Sequence, residues 1–229
     1  MRRPATFKQI FRLLMDSWIS SPDELADPEC LYGPFRGMLR ANMILLVIDT
    51  RSTNPEELHF DFIKGYDLPT GLTDMSLLQR ARSCVDFPDQ QYLHRIVVSA
   101  YADAVERQRP VIGRIVTRIL DMQVAYDRII LPQKNSTGRS SWCVALLDIH
   151  FLLPTGPRTD GLDDADLAIL QLLAEGSSTR EVATAANLSA RTIEHRIERL
   201  KSHFRAKNIT QLVVLAISAG IAGILRQDS

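Results

Sequence analysis

The chain has few cysteines and no excess of either charge. Of its 229 residues, 3 are cysteines, namely Cys30, Cys84 and Cys143, and they stand far apart with no CxxC pair. This pattern suggests neither a disulfide framework nor a cysteine-based zinc site, and it favours a reducing, cytoplasmic location. The 27 Lys and Arg balance 27 Asp and Glu, while 45% of the residues are apolar. Such a composition is typical of a globular protein and excludes a disordered chain, collagen or a coiled coil.

The N-terminus lacks the long apolar run of a signal peptide or a membrane span. Lys8, Arg12 and Asp16 interrupt the apolar positions there, which neither a signal h-region nor a span tolerates. We therefore expect no membrane partner. Helical spacing of the apolar side chains instead predicts an amphipathic helix that packs on a domain or a partner. These side chains are Phe7, Ile10, Phe11, Leu14 and Trp18.

The motifs of common enzyme classes are also missing. The sequence contains no GxSxG, P-loop, HExxH, GxGxxG or paired Cys/His ligands. Its densest carboxylate cluster, Asp163, Asp164 and Asp166, starts a predicted helix, where acidic side chains favour the helix dipole. We interpret the cluster as structural and predict a protein without catalytic or metal site.

A run rich in proline and glycine, from Pro154 to Gly161, can continue neither a strand nor a helix. Strand and helix patterns alternate before this run, whereas only helical patterns follow it. The sequence therefore predicts an α+β protein divided into four segments. These are an N-terminal helical extension at 1–34, a sheet-containing domain at 35–153, a linker at 154–161 and an all-α domain at 162–229.

Alternating or continuous apolar runs predict five strands in the first domain, at 42–49, 58–64, 111–120, 124–131 and 141–153. The first two are expected to pair, and the last two to form a hairpin. Small helices near 74–82 and a long helix at 88–107 lie between the second and third strands. This order predicts an antiparallel sheet with helices on one face.

The element order over residues 35–153, together with the run Tyr126–Pro132 (YDRIILP), resembles a PAS domain. The resemblance implies a sensory and dimerising module that holds a small molecule, haem or flavin between sheet and helices, or that binds a protein partner. Cys84 lies in SCVDF rather than in the Asn-Cys-Arg motif of light-oxygen-voltage sensors. His94 is a candidate haem ligand, and His59 and His150 on strands are weaker ones, although a lone helical histidine is more often a surface residue. The cofactor stays open.

In the second domain, helix-start signals define four short helices. Capping boxes are expected at Asp163–Asp166, Ser178–Glu181 and Asn208–Gln211, and Ser189 is expected to cap the third helix. Gly176 should end the first helix. The short turn at 187–189 between the second and third helices predicts a helix-turn-helix.

The third helix has one apolar stripe and an excess of positive charge. Ile193, Ile197, Leu200 and Phe204 lie on one face and must be buried. From 190 to 207, six Lys and Arg stand against Glu194 and Glu198. A positive helix in this motif suits the major groove of double-stranded DNA.

The runs Ala174–Ala183 (AEGSSTREVA) and Leu188–Ile193 (LSARTI) closely resemble the LuxR/FixJ-type DNA-binding domain, and the similarity continues to about Ile221. The resemblance implies a bacterial transcription regulator that binds operator DNA, with RNA polymerase as a candidate partner. It also implies roles for individual residues. Positions matching Glu194, His195 and Glu198 tend to reach base edges, and those matching Thr179, Arg180, Thr192 and Arg199 lie near phosphates. The helical projection itself exposes Arg191, His195, Glu198, Arg199 and Ser202.

This sequence departs from many relatives at three positions of the third helix. Glu194 and Glu198 stand where basic or neutral residues are frequent, and Arg196 stands where a histidine is frequent. A carboxylate can accept a hydrogen bond from cytosine N4, but it weakens the attraction to phosphates. We therefore expect modest non-specific affinity and an operator that contains cytosine.

The last helix, expected at 210–225, is apolar on nearly every side. One face should pack on the third helix and the rest should form a symmetric homodimer contact, which places two half-sites about one turn of DNA apart.

Two alternatives remain. In one, the protein is a ligand-binding or protein-interaction module whose helix-turn-helix no longer binds DNA, as Glu194 and Glu198 allow. In the other, it is an acyl-homoserine-lactone receptor, although the aromatic and acidic pattern of such a lactone pocket is not evident between Trp18 and Asp49.

Overall fold

The computed structural model describes residues 5–54, 57–67, 76–136, 138–154 and 161–219. The chain divides into two compact units, Met1–Leu152 and Leu153–Ser229. The division falls beside the run at 154–161 that the sequence predicts as a linker. Among the described residues, no helix is long and apolar enough to cross a membrane.

The first unit contains a five-stranded antiparallel sheet. Its strands are β1 (Met43–Asp49), β2 (His59–Lys64), β3 (Val111–Ile119), β4 (Met122–Pro132) and β5 (Trp142–Pro154). They lie in the order β2-β1-β5-β4-β3, so β1 pairs with β2 and β4 lies beside β5, as the sequence predicts. The α+β class and the five strands are confirmed, and each strand ends within about two residues of its predicted bounds.

Helices cover both faces of the sheet, so the prediction of helices on one face is wrong. Helix α1 (Phe7–Ser20), the short α2 (Glu29–Tyr32) and a 3₁₀ turn at Gly33–Met38 lie on one face. Ile10 and Leu14 of α1 pack there with Leu45 and Trp142. The indole Nε1 of Trp18 donates to the carbonyl of Pro132, 2.7 Å away. Both faces of the sheet need cover because the apolar residues of β1 point alternately to the two faces, so neither face is polar.

The opposite face carries α3 (Ser76–Arg80) and the long helix α4, which runs through three consecutive segments. The segments are Gln90–Tyr92, a π-helical stretch Leu93–Val98, and Ser99–Arg107. Leu93, Ala100 and Ala104 are buried against the sheet. Helix α4 ends where Gln108 adopts a left-handed conformation, with φ of 49°.

Over its described residues 161–219, the second unit contains four helices, α5 (Asp164–Ala174), α6 (Thr179–Ala185), α7 (Ala190–Phe204) and α8 (Ile209–Ser218). Reciprocal capping boxes form at the starts of α5 and α6, and Ser189 caps α7. The third predicted box is not reciprocal. Asn208 caps α8, but the Gln211 side chain accepts from the amide of Lys207 instead of that of Asn208. The predicted continuation of α8 at 220–225 lies outside the described residues.

The core of this unit forms around the predicted apolar stripe of α7. Its four members, Ile193, Ile197, Leu200 and Phe204, are all buried. Leu170 of α5, Val182 of α6 and Leu212 of α8 pack in the same cluster. Because one face of α7 is used in this way, its opposite face must be exposed.

Candidate DNA-binding surface and interior cavity

Helices α6 and α7 are joined by a tight turn. Asn187 takes a left-handed conformation, with φ of 51°, and the amide of Leu188 donates to the carbonyl of Ala183 over 3.0 Å. The next residue, Ser189, accepts from the amide of Thr192 at 3.1 Å and so starts α7. This geometry is that of a helix-turn-helix, as the sequence predicts.

The structure places the nine predicted DNA-contacting residues on two neighbouring helices. Thr179 and Arg180 lie in the first turn of α6, where Arg180 is exposed and Thr179 is half-buried. The other seven lie on exposed positions of α7, and they are Arg191, Thr192, Glu194, His195, Glu198, Arg199 and Ser202.

One shallow concavity on α7 collects cationic side chains. It is lined by Arg191, Thr192, His195, Arg196 and Arg199. A surface of this charge attracts phosphate groups, and guanidinium groups can also bind them bidentately.

Two of these arginines are held by carboxylates at the start of α5. Nη1 of Arg196 lies 2.9 Å from a carboxylate oxygen of Asp163 and 2.8 Å from one of Asp166. Arg199 also forms an ion pair with Asp166, whose side chain is completely buried. The hydrogen bonds from Arg196 and from the backbone of Asp166 lower the pKa of the Asp163 carboxyl below its ordinary value.

Sequence reasoning missed this contact network. The sequence marks Arg196 only as a departure from many relatives, and it predicts only a structural role at a helix start for the Asp cluster. Asp163 and Asp166 do cap α5, but they also bind guanidinium groups 30 or more positions later in the chain. No local pattern links residues at that separation, although an arginine in place of a frequent histidine was a signal at position 196.

Glu198 is also paired. Nζ of Lys201, one turn further along α7, lies 2.8 Å from its carboxylate. The pair is exposed on the Glu198 side, so the carboxylate can exchange partners at low energetic cost. Among the predicted base-reading residues, Glu194 and His195 have no ion pair with a described residue.

A second feature lies inside the first unit, where a cavity of about 90 Å³ separates the sheet from α4. Its walls are almost entirely apolar. They include six aromatic side chains, namely Phe60, Phe62, Phe87, Tyr92, Tyr101 and Tyr126. The aliphatic part of the wall includes Leu46 of β1, Val124 of β4 and Leu147 of β5.

Three of the residues that line the cavity are tyrosines, Tyr92, Tyr101 and Tyr126. The hydroxyls of Tyr92 and Tyr126 lie 2.8 Å apart. Burial raises the pKa of Tyr92, Tyr101 and Tyr126, so all three stay protonated at neutral pH. His94, the candidate haem ligand, is exposed on the π-helical part of α4 and does not line this cavity.

The helix-turn-helix unit matches a known family. The profile of the family described as bacterial regulatory proteins, luxR family, matches residues 162–216. These residues form a LuxR-family helix-turn-helix domain. The match runs from just before α5 into α8 and therefore includes the whole of α6 and α7. No curated protein matches the chain.

Solved structures of LuxR-type regulators are similar to the chain at low identity. A VqmA bound to DPO is 18% identical with a TM-score of 0.32, over 80% of this chain and 87% of that one. A Vibrio cholerae VqmA–ligand–DNA complex is 17% identical with a TM-score of 0.30, over 78% of this chain and 83% of that one. Escherichia coli SdiA is 11% identical with a TM-score of 0.29, over 94% of this chain and 99% of that one.

Within the LuxR-family domain, the exposed face of α7 presents Arg191 and His195 with no competing carboxylate in the contacts described. The Arg199 side chain is half exposed, and one of its guanidinium nitrogens forms an ion pair with Asp166. The arrangement can bind a polyanion through the Arg191 guanidinium, while α5 orients the guanidinium groups of Arg196 and Arg199.

Proposed function

We propose that this protein is a DNA-binding transcription regulator in which a signal received by the N-terminal sheet domain controls operator binding by the LuxR-family domain. The observation that carries the proposal is the exposed cationic face of α7 inside a helix-turn-helix that matches this family. A ligand would act by having different affinities for two states of the protein, one that can bind DNA and one that cannot. The protein is proposed to be cytoplasmic and not an enzyme.

The sheet domain is proposed to be PAS-like. Its strand order β2-β1-β5-β4-β3 and the long helix α4 packed against one face support this, because they create a cavity between sheet and helix. A small molecule in that cavity, or a protein partner, is the proposed signal. The domain bounds at 1–34, 35–153, 154–161 and 162–229 are part of the proposal, with α1 packed on the sheet.

A homodimer is proposed to form through α8. Two of its apolar side chains, Ile209 and Ile217, are 39% and 54% exposed. A symmetric contact there would give two recognition helices and two half-sites. RNA polymerase is a further proposed partner of the DNA-bound form.

The test is the salt dependence of DNA binding by the full-length protein. Fluorescence anisotropy with a labelled random-sequence duplex should show affinity that falls steeply as salt rises, since each phosphate contact adds about 0.9 to the log-log slope. Arg191→Ala should weaken binding and reduce the slope by about 1. Arg12→Ala on α1 removes the same charge from the other unit and should change neither.

One specific observation favours a second function, a ligand-binding or interaction module without DNA binding. Glu194 and Glu198 are exposed on the face of α7 that would meet DNA, and Arg196 and Arg199 are already paired. A slope near zero that Arg191→Ala leaves unchanged would favour this second function. An acyl-homoserine-lactone receptor is the remaining alternative, and saturable binding of such a lactone would favour it.

A further inference from the structure

The sheet of the first unit has one occupied edge and one free edge. At the β2 edge, the amide of Phe60 donates to the carbonyl of Arg82 over 2.8 Å. Beside it, the amide of Cys84 donates to the carbonyl of Leu58 over 3.2 Å. Strand β3 forms the other edge, and no described residue pairs with the backbone on its outer side. Such an edge can accept a further strand.

Strand β3 lacks most of the features that protect a free edge. It spans nine residues, Val111–Ile119, and pairs with β4 over its whole length without a bulge. It contains neither proline nor lysine. Ile112 and Val116 on its exposed face are 55% and 70% exposed. Edge strands in natural proteins are commonly short, bulged or charged, so these properties favour a partner strand.

The positive charges of β3 are already balanced. Nε of Arg114 lies 2.8 Å from a carboxylate oxygen of Asp127, and Nη2 of Arg118 lies 3.1 Å from one of Asp121. Both arginines are exposed. Because each has its own counter-charge, they do not repel an approaching strand as two unpaired cations would.

The turn after β3 decides which of its backbone groups point outward. Leu120 and Asp121 alone separate β3 from β4, and Ile119 lies opposite Met122. This closing pair of a two-residue hairpin is hydrogen-bonded, and bonded pairs alternate along an antiparallel ladder. The odd-numbered residues of β3 therefore bond to β4. The amides and carbonyls of the even-numbered residues point away from it, and these residues are Ile112, Arg114, Val116 and Arg118.

A second copy of β3 fits this edge. Two identical strands can pair antiparallel about a two-fold axis, and the contact then closes on itself. Only a register with Ile115 on the axis overlaps all nine residues. It places Ile115 opposite the partner's Ile115 and Val111 opposite the partner's Ile119. Ile115 and Val111 are half-buried beside the core under α4, so this pairing would extend that core across the axis.

Charge favours the same register over its neighbours. With Ile115 on the axis, Arg114 lies opposite the partner's Val116 and Arg118 lies opposite the partner's Ile112. An axis at position 114 would oppose Arg114 to its own copy, and an axis at position 116 would oppose Arg114 to the partner's Arg118. Like charges directly opposite each other destabilise a strand pair. Axes further away shorten the overlap.

We infer that the β3 edges of two copies of this protein pair antiparallel, with Ile115 on the two-fold axis, and join their sheets into one. The even-numbered residues would exchange about eight backbone hydrogen bonds. The inference goes beyond the proposed function, because the contact lies in the first unit, apart from the α8 contact, and needs neither DNA nor a signal. Both contacts are isologous, so a single dimer can contain both.

The first test is amide hydrogen exchange, followed by NMR on the full-length protein at ~20 µM and ~1 mM. Exchange at the amides of the even-numbered residues should slow by about tenfold or more at the higher concentration, because only pairing protects them. The amides of Gly113, Ile115 and Thr117 bond to β4 and should be slow at both concentrations. They also report that the sheet is intact.

A proline variant removes one outward donor without touching β4. Edge strands accept proline where the amide points outward, so Val116→Pro should keep slow exchange at the odd-numbered amides. It should lose the concentration-dependent protection at Ile112, Arg114 and Arg118. Val116→Thr keeps the amide and the branched side chain and should behave like the wild type.

The second test is a disulfide across the axis. Opposite residues of a non-bonded antiparallel pair have Cα atoms about 4.5 Å apart, within the range that a disulfide spans. In a Cys30→Ser background, which removes the exposed native thiol, Ile115→Cys should give a covalent dimer on mild oxidation. Thr117→Cys, on the same face of β3, would face the partner's Gly113 and should stay monomeric.

Three results would each overturn the inference. They are exchange at the even-numbered amides that does not depend on concentration, protection that survives Val116→Pro, and cross-linking of Thr117→Cys that equals or exceeds that of Ile115→Cys. DNA anisotropy on the same preparations tests the proposed function separately. Salt-dependent DNA binding without strand pairing rejects the β3 contact alone, whereas strand pairing without DNA binding rejects the regulator alone.

Discussion

The carboxylate of Asp166 is completely buried and forms ion pairs with Arg199 and with Arg196, both on helix α7. It therefore links the start of α5 to the surface that is proposed to contact DNA. The same carboxylate completes the capping box with Asp163. One side chain thus stabilises a helix end and orients two guanidinium groups.

Replacing this carboxylate should cost stability. Asp166→Asn keeps the volume but removes the charge that pairs with both arginines, and we expect a loss of about 1–2 kcal/mol in the free energy of unfolding. This loss of stability is smaller than that expected for breaking a fully buried ion pair, because the Arg199 side chain is 54% exposed. Urea denaturation measures it. Asp164→Asn, in the same turn but outside these ion pairs, is the matched control and should change stability by less than about 0.5 kcal/mol.

The same variant should reduce sequence discrimination. With Arg196 and Arg199 released, their charge stays available to any DNA while their orientation is lost. We expect the ratio of specific to random-sequence affinity to fall, with random-sequence affinity unchanged or higher. A proportional loss of both affinities would show instead that Asp166 supports folding alone.

Acid should weaken the second unit partly through Asp163. The pKa of the Asp163 carboxyl is lowered in the folded protein, chiefly by the hydrogen bond from Arg196. Its contribution to the free energy of unfolding is therefore fully present above its pKa in the unfolded chain, about 3.9, and is lost as pH falls through its lower pKa in the folded protein. We expect Asp163→Asn to flatten the loss of thermal stability between about pH 5 and 2. A pH profile identical to that of the wild type would contradict this.

Glu198 should influence the bases at the operator. Because a carboxylate accepts from cytosine N4, Glu198→Gln should change the preference at one position per half-site and raise random-sequence affinity, as one negative charge is removed. Selection from a random DNA library with both proteins tests this. Lys201→Gln, which removes the partner at 2.8 Å, should change affinity without changing the preferred base. Identical preferences at every position for Glu198→Gln would exclude base contact by this residue.

The exposed apolar side of α8 should mediate dimerisation. Ile217 is 54% exposed, and Ile217→Glu would place a charge in a symmetric contact. Sedimentation should show a dimer for the wild type and a shift towards monomer for the variant. Val85→Glu, at a residue that is 70% exposed in the other unit, is the control. A monomeric wild type would reject this interface.

Local patterns were sufficient for much of this protein. The starts of α5, α6 and α7 follow from Asp163, Ser178 and Ser189, because a capping side chain bonds an amide three residues away. The burial of Ile193 and Phe204 follows from helical periodicity, and the five strands follow from their apolar runs. Each of these properties depends on residues that are close in sequence.

Tertiary structure alone decided three other properties. It covers both sheet faces with helices, it pairs Asp166 with arginines on α7, and it joins Tyr92 and Tyr126 across 34 positions at the cavity wall. Contacts between residues far apart in the chain leave no periodic signal, since either partner alone is compatible with many surroundings. Local residue patterns therefore specify the helices, the strands and the helix-turn-helix, while packing between distant segments specifies which charged groups of α7 are paired.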